Sequence, residues 1–286
     1  MDKILFSENV GGIMIERIER DSNFNMVSKH FHNEYEIYYL ASGDRYYFIE
    51  KQTYYIKKGS LVIIDRNQIH KTVMANTSYH DRILMMISDE AIDAVFRLYD
   101  NIDLRNFFAK NSGVIELNEI GQKYVENLLG EITTELREKH TGFEFAMKAK
   151  IAELIIFAYR CKTGENMTMQ SEAIQSEKYR KINEIAEYIT HNYQYNISLA
   201  DIADKFYISK SYLSRIFKEV TGFTVNEYIN VIRTKKAQLM LENTEYSITQ
   251  IAEMIGYDSI TYFEKVFKKY IELSPLKYRK KLEKHK

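Results

Sequence analysis

The last third of the chain carries one pattern of residues twice, and the two copies lie about 50 positions apart. Two copies are too few for a solenoid, which needs three or more stacked repeats. The pattern instead predicts two copies of one small helical unit, which strongly limits how this part of the chain can fold. The equivalent positions are Ile202-Ala203 and Ile251-Ala252, Leu213 and Phe263, Phe217 and Phe267, and Tyr228 and Tyr278.

Each copy is typical of a helix-turn-helix unit, in which two short helices are joined by a tight turn. A Ser followed three residues later by Asp or Gln precedes the first apolar run of each copy, at Ser198 and Ser247. This spacing resembles a capping box, in which the Ser side chain accepts from a free N–H at the start of a helix. Thr224-Val225-Asn226-Glu227 is a third such box and predicts a long helix to about Leu241, between the two units.

The second helix of each unit, predicted to open near Ser209 or Ser259, has a polar face opposite its apolar one. Arg is the side chain best suited to a guanine edge, and Lys and Ser bind phosphates. A solvated Lys-rich face is the alternative reading, but duplicated and capped units in a basic segment favour DNA. The candidate DNA-binding residues are Ser209, Lys210, Ser211, Ser214, Arg215 and Lys218 in the first unit, and Ser259, Ile260, Thr261, Glu264, Lys265 and Lys268 in the second.

The charge of the chain is divided unequally along its length. The whole chain has 40 Lys and Arg against 40 Asp and Glu, and that neutral total alone argues against a nucleic-acid binder. Residues 1–177 hold 21 basic and 27 acidic residues, a net charge of −6, and residues 178–286 hold 19 and 13, a net charge of +6. We therefore predict a sensing domain at 1–162, a polar linker at 163–177 and a DNA-reading domain at 178–286.

Residues 12–88 are short aromatic and β-branched runs separated by turn signals, such as Glu34–Ala41 and Ser60–Ile64. Strands at this short spacing are typical of an all-β barrel or sandwich. From about residue 89 the apolar period becomes helical, and two stripes predict a helical hairpin that either packs on the barrel or forms a dimer interface. The stripes are Val125, Leu128, Leu129, Ile132 and Leu136, followed by Ile151, Leu154, Ile155 and Ala158.

Two sets of residues in the last third resemble the two halves of the AraC/XylS-type DNA-binding domain. The first set is Ile202-Ala203, Ser209, Tyr212-Leu213-Ser214-Arg215, Phe217-Lys218, Thr221-Gly222, Tyr228 and Arg233. The second set is Ser247-Ile248, Ile251-Ala252, Ile255-Gly256-Tyr257, Tyr262-Phe263, Phe267-Lys268-Lys269, Ser274-Pro275 and Tyr278-Arg279. The resemblance implies a regulator that binds double-stranded DNA, forms a homodimer through residues 120–160 and contacts RNA polymerase.

This resemblance has two departures. Glu264-Lys265 stands where Ser-Arg is common in the second unit, and Glu272 stands where a Gly often closes the turn before the last helix. The resemblance implies base contacts mainly from Ser211, Ser214 and Arg215 in the first unit. The corresponding contacts in the second unit are expected from Ile260, Thr261, Glu264 and Lys265.

Histidines in the N-terminal part have a suggestive spacing. His30, His32 and Glu36 match the first motif of the cupin barrel, and His70 falls in a partial match to the second. On strands of period two, the first three would point to one side. Three imidazoles and one carboxylate suit a divalent metal such as Zn, Mn, Fe or Ni, and they are the ligands in metal-binding cupins. Regulators that this chain resembles commonly bind a small effector, often a sugar, without metal. We therefore predict the four residues as effector contacts, with metal ligation and simple packing as alternatives.

The sequence thus predicts an α+β protein of two domains: a cupin-like β-barrel with a helical hairpin, and an all-α domain with two helix-turn-helix units joined by a long helix. We expect an effector-controlled, sequence-specific transcription regulator in the cytoplasm, without a cofactor and without enzymatic activity, since no nucleophile or phosphate-loop motif is present. A single Cys, Cys161, excludes a disulfide framework. The alternatives are a metal-dependent cupin enzyme or metal sensor with a helix-turn-helix appendage, and a constitutive DNA binder whose barrel is only a scaffold.

Overall fold

The computed structural model describes residues 2–21, 32–96, 104–164 and 176–283. The chain divides into two compact units, Met1–Gln175 and Ser176–Lys286. The strands of the first unit are β1 (Asp2–Val10), β2 (Ile13–Asp21), β3 (Tyr35–Ser42), β4 (Asp44–Ile49), β5 (Gln52–Lys57), β6 (Ser60–Ile64), β7 (His70–Met74), β8 (Tyr79–Ile87) and β9 (Gly113–Glu116). Its helices are α1 (Asp89–Phe96), α2 (Leu104–Asn111), α3 (Glu119–Glu138) and α4 (Phe143–Thr163).

The strands form two antiparallel sheets, with the orders β1-β2-β8-β3-β6-β9 and β5-β4-β7. Between the sheets lies an apolar cluster, which we call the inter-sheet core. Its members are Tyr38, Leu40, Tyr47, Ile49, Ile56, Val62, Ile64 and Leu84. Alternation along each strand decides which side chains enter it, so Tyr38 and Leu40 of β3 face this core while Tyr35, Ile37 and Tyr39 face the helices.

The helical hairpin predicted from the apolar stripes is α3 and α4, and it covers the outer face of the larger sheet. All nine stripe residues are buried in the cluster that joins these helices to the sheet. The stripes therefore pack on their own domain, and a dimer formed by this hairpin would have to use its opposite face. The strand β9 was not predicted: four residues within a helical region pair with β6 and are too short to show a period of their own.

The second unit is helical, as predicted. Its helices are α5 (Glu177–Asn192), α6 (Leu199–Lys205), α7 (Lys210–Thr221), α8 (Val225–Asn243), α9 (Ile248–Met254), α10 (Ile260–Ile271) and α11 (Pro275–Glu283). The three predicted capping boxes are present, at Ser198, Thr224 and Ser247. Each satisfies two N–H groups that would otherwise lack a partner at a helix start. None of the described helices combines the length and apolar character that crossing a membrane requires.

The two helix-turn-helix units repeat in three dimensions as they do in sequence. The Phe217 and Tyr228 rings meet edge to face with centroids 5.2 Å apart, and the equivalent Phe267 and Tyr278 rings do so at 5.8 Å. Such aromatic pairs add to the stability gained from burial. Each pair fixes the second short helix of its unit against the helix that follows, which sets the orientation of α7 and α10.

Candidate DNA interface and effector site

Helix α7 has one buried and one exposed face. Ser209 is its N-cap and accepts from the N–H of Tyr212, while Leu213 and Phe217 are fully buried. The apolar stripe therefore holds the helix on its unit and leaves the opposite face in solvent. All six candidate residues of the first unit lie on the exposed side, namely Ser209, Lys210, Ser211, Ser214, Arg215 and Lys218.

Part of this face lines an open depression together with Leu199 of α6 and Glu219. The candidate residues that line it are Lys210, Ser211, Ser214, Arg215 and Lys218. The guanidinium carbon of Arg215 lies 5.7 Å from the centre of the Tyr212 ring, a cation–π distance that favours one orientation of the Arg side chain. The structure thus brings the first set of predicted residues together on one polar, positive surface.

Helix α10 presents the second set in the same way. Ser259 is its N-cap, Phe263 and Phe267 are buried, and the remaining candidates are exposed. These exposed residues are Ile260, Thr261, Glu264, Lys265 and Lys268. Glu264 stands at the position equivalent to Ser214 of α7, so the two faces differ in charge at this position although they are equivalent in fold.

Asn230 of α8 was not singled out from the sequence, yet it connects the long helix to the second unit. Its side-chain oxygen accepts from the Tyr257 hydroxyl at 2.9 Å, and its amide lies 3.5 Å from the Tyr262 hydroxyl. Arg233, part of the family resemblance, donates to the backbone oxygens of Tyr193 and Tyr195 at 2.7 and 3.0 Å. These two side chains hold α8 against its neighbours, and Asn230 belongs to no pattern that a single sequence would show.

In the N-terminal compact unit, Met1–Gln175, three side chains come together: His32, Glu36 and His70. We call them the His-Glu group. The Nε2 atom of His32 lies 3.2 Å from Glu36 Oε2, and Nε2 of His70 lies 3.3 Å from the same oxygen. The other carboxylate oxygen accepts from the Tyr47 hydroxyl at 2.7 Å. Glu36 and His70 are buried, and His32 keeps 15% of its side chain exposed.

The surroundings of this group favour a charged pair. Burial acts to raise the pKa of Glu36, but the adjacent His70 and His32 outweigh it and hold that pKa well below its usual range. Burial likewise acts to lower the pKa of His32, while its hydrogen bond to Glu36 and the carboxylate charge raise it overall. The Nδ1 atoms of His32 and His70 lie 3.2 and 2.9 Å from the backbone oxygens of Glu34 and Gln68. Both Nε2 atoms are therefore directed at the carboxylate, where either protons or a metal ion would satisfy them.

Two of the predicted histidines, His30 and His32, do not lie on a described strand. His30 lies outside the described residues. His32 was expected on a strand with Glu36, but it lies just before β3, which begins at Tyr35. It reaches Glu36 because the segment turns and its ring bonds to the backbone of Glu34, so the contact arises from a turn and not from a period of two.

A second polar group borders the inter-sheet core and was not predicted. It consists of Arg20, Arg45 and Arg82 with Tyr38 and His80, and we call it the arginine cluster. Arg45 is fully buried and His80 is 1% exposed. The register pairs Arg20 with His80 across β2 and β8. The alternation of side chains along β4 is a sequence signal for a buried Arg45. Arg45 lies on the same face of this strand as Tyr47 and Ile49, which are core residues.

Each of the two units contains a region that matches a known domain family. Residues 12–95 match the model of the AraC-like ligand binding domain, and residues 202–281 match a helix-turn-helix domain. The first match spans both strands of the His-Glu group and all of the arginine cluster. The second spans α7 and α10 with all twelve candidate DNA-binding residues.

Similar proteins include regulators from several bacteria. The Msm operon regulatory protein of Streptococcus mutans is 36% identical over 102 residues, which cover 36% of this chain and 37% of that protein. The transcriptional activator RhaR of Mannheimia succiniciproducens is 23% identical over 250 residues, 87% of this chain and 86% of that one. The C-terminal domain of the response regulator AraT from Geobacillus stearothermophilus is 33% identical, with a TM-score of 0.36, and the match covers 37% of this chain and 88% of that one.

The two matched domains occur in the order that the sequence predicted, and the curated relatives named above are transcription regulators. The cupin-like and helix-turn-helix resemblances are thereby confirmed at the level of the family. The chain belongs to the AraC family of DNA-binding transcription regulators, with an AraC-like ligand-binding domain preceding its helix-turn-helix domain.

Proposed function

We propose that this chain reads specific DNA sequences with α7 and α10, and that a small molecule bound beside the inter-sheet core controls the reading. The observation that carries the proposal is the exposed face of α7. It combines two Ser and three basic side chains on a helix whose other face is buried in a helix-turn-helix unit. Such a helix fits the major groove, where Arg recognises a guanine and Ser or Lys binds phosphate.

The two recognition helices have unequal roles in this proposal. Ser211, Ser214 and Arg215 of α7 contact bases, and Lys210 and Lys218 contact phosphates. On α10, Ile260 and Thr261 meet thymine methyl groups and Lys265 or Lys268 meets phosphates. Glu264 either accepts from a cytosine amino group or weakens binding by repulsion.

The effector contacts that we propose are His32, Glu36 and His70, together with His30. The described three meet within a few ångströms of one another at the edge of the inter-sheet core. The domain assignment of 1–162, 163–177 and 178–286 belongs to the same proposal. The proposal also includes a cytoplasmic location, the absence of catalysis and a contact with RNA polymerase. These three points agree with relatives that regulate transcription.

A homodimer through residues 120–160 is also part of the proposal, formed by the outer face of the α3–α4 hairpin. Large apolar side chains are exposed there, with Ile120 at 69% and Phe145 at 71%. They stand near the two ends of the antiparallel hairpin, and covering them in a dimer would remove apolar surface from water. Sedimentation analysis of Phe145→Asp tests the dimer, since a monomeric variant is expected and an unchanged mass would exclude this face.

The DNA proposal is tested by mapping binding sites with purified protein on fragmented genomic DNA, followed by titration of the recovered site. Arg215→Ala is expected to weaken binding to the recovered site by about 1–3 kcal/mol and to relax specificity at one base position. Arg180→Ala is the matched control, because Arg180 is exposed on α5, outside the predicted face. Unchanged discrimination in Arg215→Ala would remove Arg215 from base reading.

A metal sensor is the second candidate, and the geometry of the His-Glu group favours it. Two Nε2 atoms and a carboxylate oxygen, one atom from each residue, lie within 4.8 Å of one another, and the Nδ1 atoms bond to backbone oxygens as they do in metal sites. Elemental analysis of purified protein decides between the two. A stoichiometric metal that is lost in His32→Ala but kept in His140→Ala would establish the sensor. If the purified protein contains no metal, the metal sensor is excluded and the His-Glu group keeps its proposed role as an effector contact.

A further inference from the structure

The arginine cluster lies at the opposite side of Tyr38 and Tyr47 from the His-Glu group. The Tyr38 and Tyr47 rings meet edge to face with centroids 5.3 Å apart, and Tyr47 is the residue that bonds to Glu36. Ile18 and Leu40 are the cross-strand partners of Arg82, so this Arg stands between apolar neighbours of the inter-sheet core. Three guanidinium groups at the margin of an apolar core are costly unless negative groups compensate them.

The positive charges act on two buried neutral groups. Burial raises the pKa of Tyr38 to about 12, although the charges of Arg82 and Arg45 act to lower it. Burial, followed by the charges of Arg45 and Arg20, lowers the pKa of His80 to about 4. Both groups are therefore neutral at pH 7, and the potential at this place is set by the Arg residues.

Among the described residues, two carboxylates bond to these guanidinium groups at the rim of the cluster. Arg20 bonds to Asp2 and Arg82 to Glu16, each at 2.8 Å, and both acidic side chains are partly exposed. The buried carboxylates nearby accept hydrogen bonds from outside the cluster, Asp81 from Arg17, and the charge of Asp44 also acts on Arg45. Glu36 bonds to Tyr47, and Asp44 accepts from Thr77, Asn76 and Tyr55.

Two polar atoms at this place have no hydrogen-bond partner among the described residues. They are the Tyr38 hydroxyl oxygen and Nη1 of Arg82, both completely buried. A buried donor without an acceptor costs free energy, so native structures provide one, from protein, water or ligand. The hydroxyl and the guanidinium are both donors, and one group with two acceptor oxygens would satisfy them together.

We propose that the effector of this protein carries a carboxylate or phosphate group, which binds in the arginine cluster against Tyr38, Arg82 and Arg45. This inference rests on the proposed function, because it names the chemical class of the molecule that the first domain senses. The remainder of the effector lies along the inter-sheet core toward the His-Glu group. An anionic oxygen is a stronger acceptor for these two buried donors than a neutral hydroxyl group is.

The test uses the full chain without DNA and measures its thermal unfolding midpoint. Sodium acetate and sodium phosphate are titrated as probes against sodium chloride at equal ionic strength, and the two arms distinguish carboxylate from phosphate. For at least one probe we expect a saturable rise of about 2–4 °C in the wild type. The rise is expected to disappear in Tyr38→Phe and in Arg82→Gln.

Arg17→Gln is the matched control, because Arg17 lies on the opposite face of β2 and bonds to Asp81. Its midpoint should rise as in the wild type, which separates the site from general effects of salt on stability. Tyr38→Phe removes one oxygen and keeps the ring, so it remains informative if the Arg variant does not fold. No rise with either probe, or an equal rise in the wild type and Tyr38→Phe, would overturn the proposal. Because DNA is absent, this result is independent of the Arg215→Ala test of DNA reading.

Discussion

The turn inside each helix-turn-helix unit contains one residue with a positive φ angle. It is Tyr207 in the first unit, at +54°, and Gly256 in the second, at +88°. The following amide, of Ile208 or Tyr257, bonds back to the Ala of the preceding helix at 3.0 or 2.9 Å. The two turns have one geometry, but their surroundings differ, since Tyr207 is 95% exposed whereas a Cβ at position 256 would lie 2.3 Å from the Gln194 oxygen.

Gly256→Ala is therefore expected to destabilise the DNA-binding unit by about 2–4 kcal/mol, because the new methyl group collides with backbone in a conformation that already disfavours side chains. Tyr207→Gly at the equivalent turn should change stability by less than about 1 kcal/mol. Urea unfolding of the two full-length variants measures both. Equal stability of Gly256→Ala and the wild type would show that the Gln194 backbone moves away.

The pair formed by His32 and Glu36 predicts how stability depends on pH. The pKa of His32 is raised in the folded chain above its usual 6.5, so its contribution is present below about 6.5 and is lost as the pH rises through the folded value. The pKa of Glu36 is lowered well below 4.5, so its contribution is present above 4.5 and is lost only in acid. The pair therefore contributes most to the stability of the folded chain between these two pH limits.

The unfolding midpoint of the wild type minus that of His32→Gln is thus expected to be largest near pH 5.5–6 and to shrink toward pH 9. Thermal scans of chelator-treated protein across this range measure the difference. His140→Gln serves as the control, since the His140 side chain is 78% exposed, and its midpoint should follow the wild type at every pH. A constant difference between the wild type and His32→Gln would show that the imidazole does not titrate in contact with Glu36.

At the scale of elements, α7 and α10 have the same frame but different chemistry. Each begins at a Ser N-cap, and each ends at a residue in the left-handed region, Gly222 at +85° and Glu272 at +64°. Glu272 therefore keeps the left-handed backbone that ends α10, although it is not the Gly that is common at this position. Glu264 on α10 is the departure with expected consequences for binding, because it adds a negative charge to the face that we propose meets phosphates.

Glu264→Ser is expected to strengthen binding to unrelated DNA about threefold to tenfold, the effect of removing one repulsive charge a few ångströms from the backbone. Fluorescence anisotropy with a scrambled duplex at fixed salt measures it. Glu253→Ser on α9 is the control and should leave binding unchanged, since Glu253 is exposed outside the recognition helix. Weaker binding to the recovered cognate site in Glu264→Ser would instead identify Glu264 as a base reader.

The elements that the sequence predicted are those with local signals. Capping boxes and apolar periods predicted the starts of α6 and α9, both bounds of α8 and the place of the α3–α4 hairpin, because caps and stripes act within one or two turns. The strand β9 and the place of His32 depend on partners far along the chain, and no local pattern carries them. Alternation marks Arg45 as a core-facing residue, but the arginine cluster as a whole forms only when four strands, β2, β3, β4 and β8, come together.

At the scale of the whole molecule, the neutral total charge is the sum of an acidic first part and a basic last part. Affinity for DNA should then depend on a small number of basic residues in the last part, and each contributes one displaced counterion. The acidic part opposes non-specific adhesion of the sensing domain to DNA, which leaves recognition to the helical unit.

Lys218→Ala is accordingly expected to weaken binding to all sequences alike and to reduce the magnitude of the slope of log K against log salt by about 1. Titrations of cognate and scrambled duplexes at several salt concentrations give the slope. Arg180→Ala should keep the wild-type slope. A sequence-dependent loss in Lys218→Ala would move Lys218 from the phosphate contacts to the base contacts.

The strand β3 has packed side chains on both of its faces. Glu36 and Tyr38 lie on the side where we propose that the effector binds, while the Tyr39 hydroxyl bonds to Glu126 of α3 at 2.8 Å on the other side. Close-packed layers transmit displacement because they contain few voids that could absorb it. We therefore expect a ligand that displaces Tyr38 by a fraction of an ångström to shift Tyr39 and the helical hairpin as well. Strand β3 would thus connect the proposed effector site directly with α3 and α4, the helices of the proposed dimer.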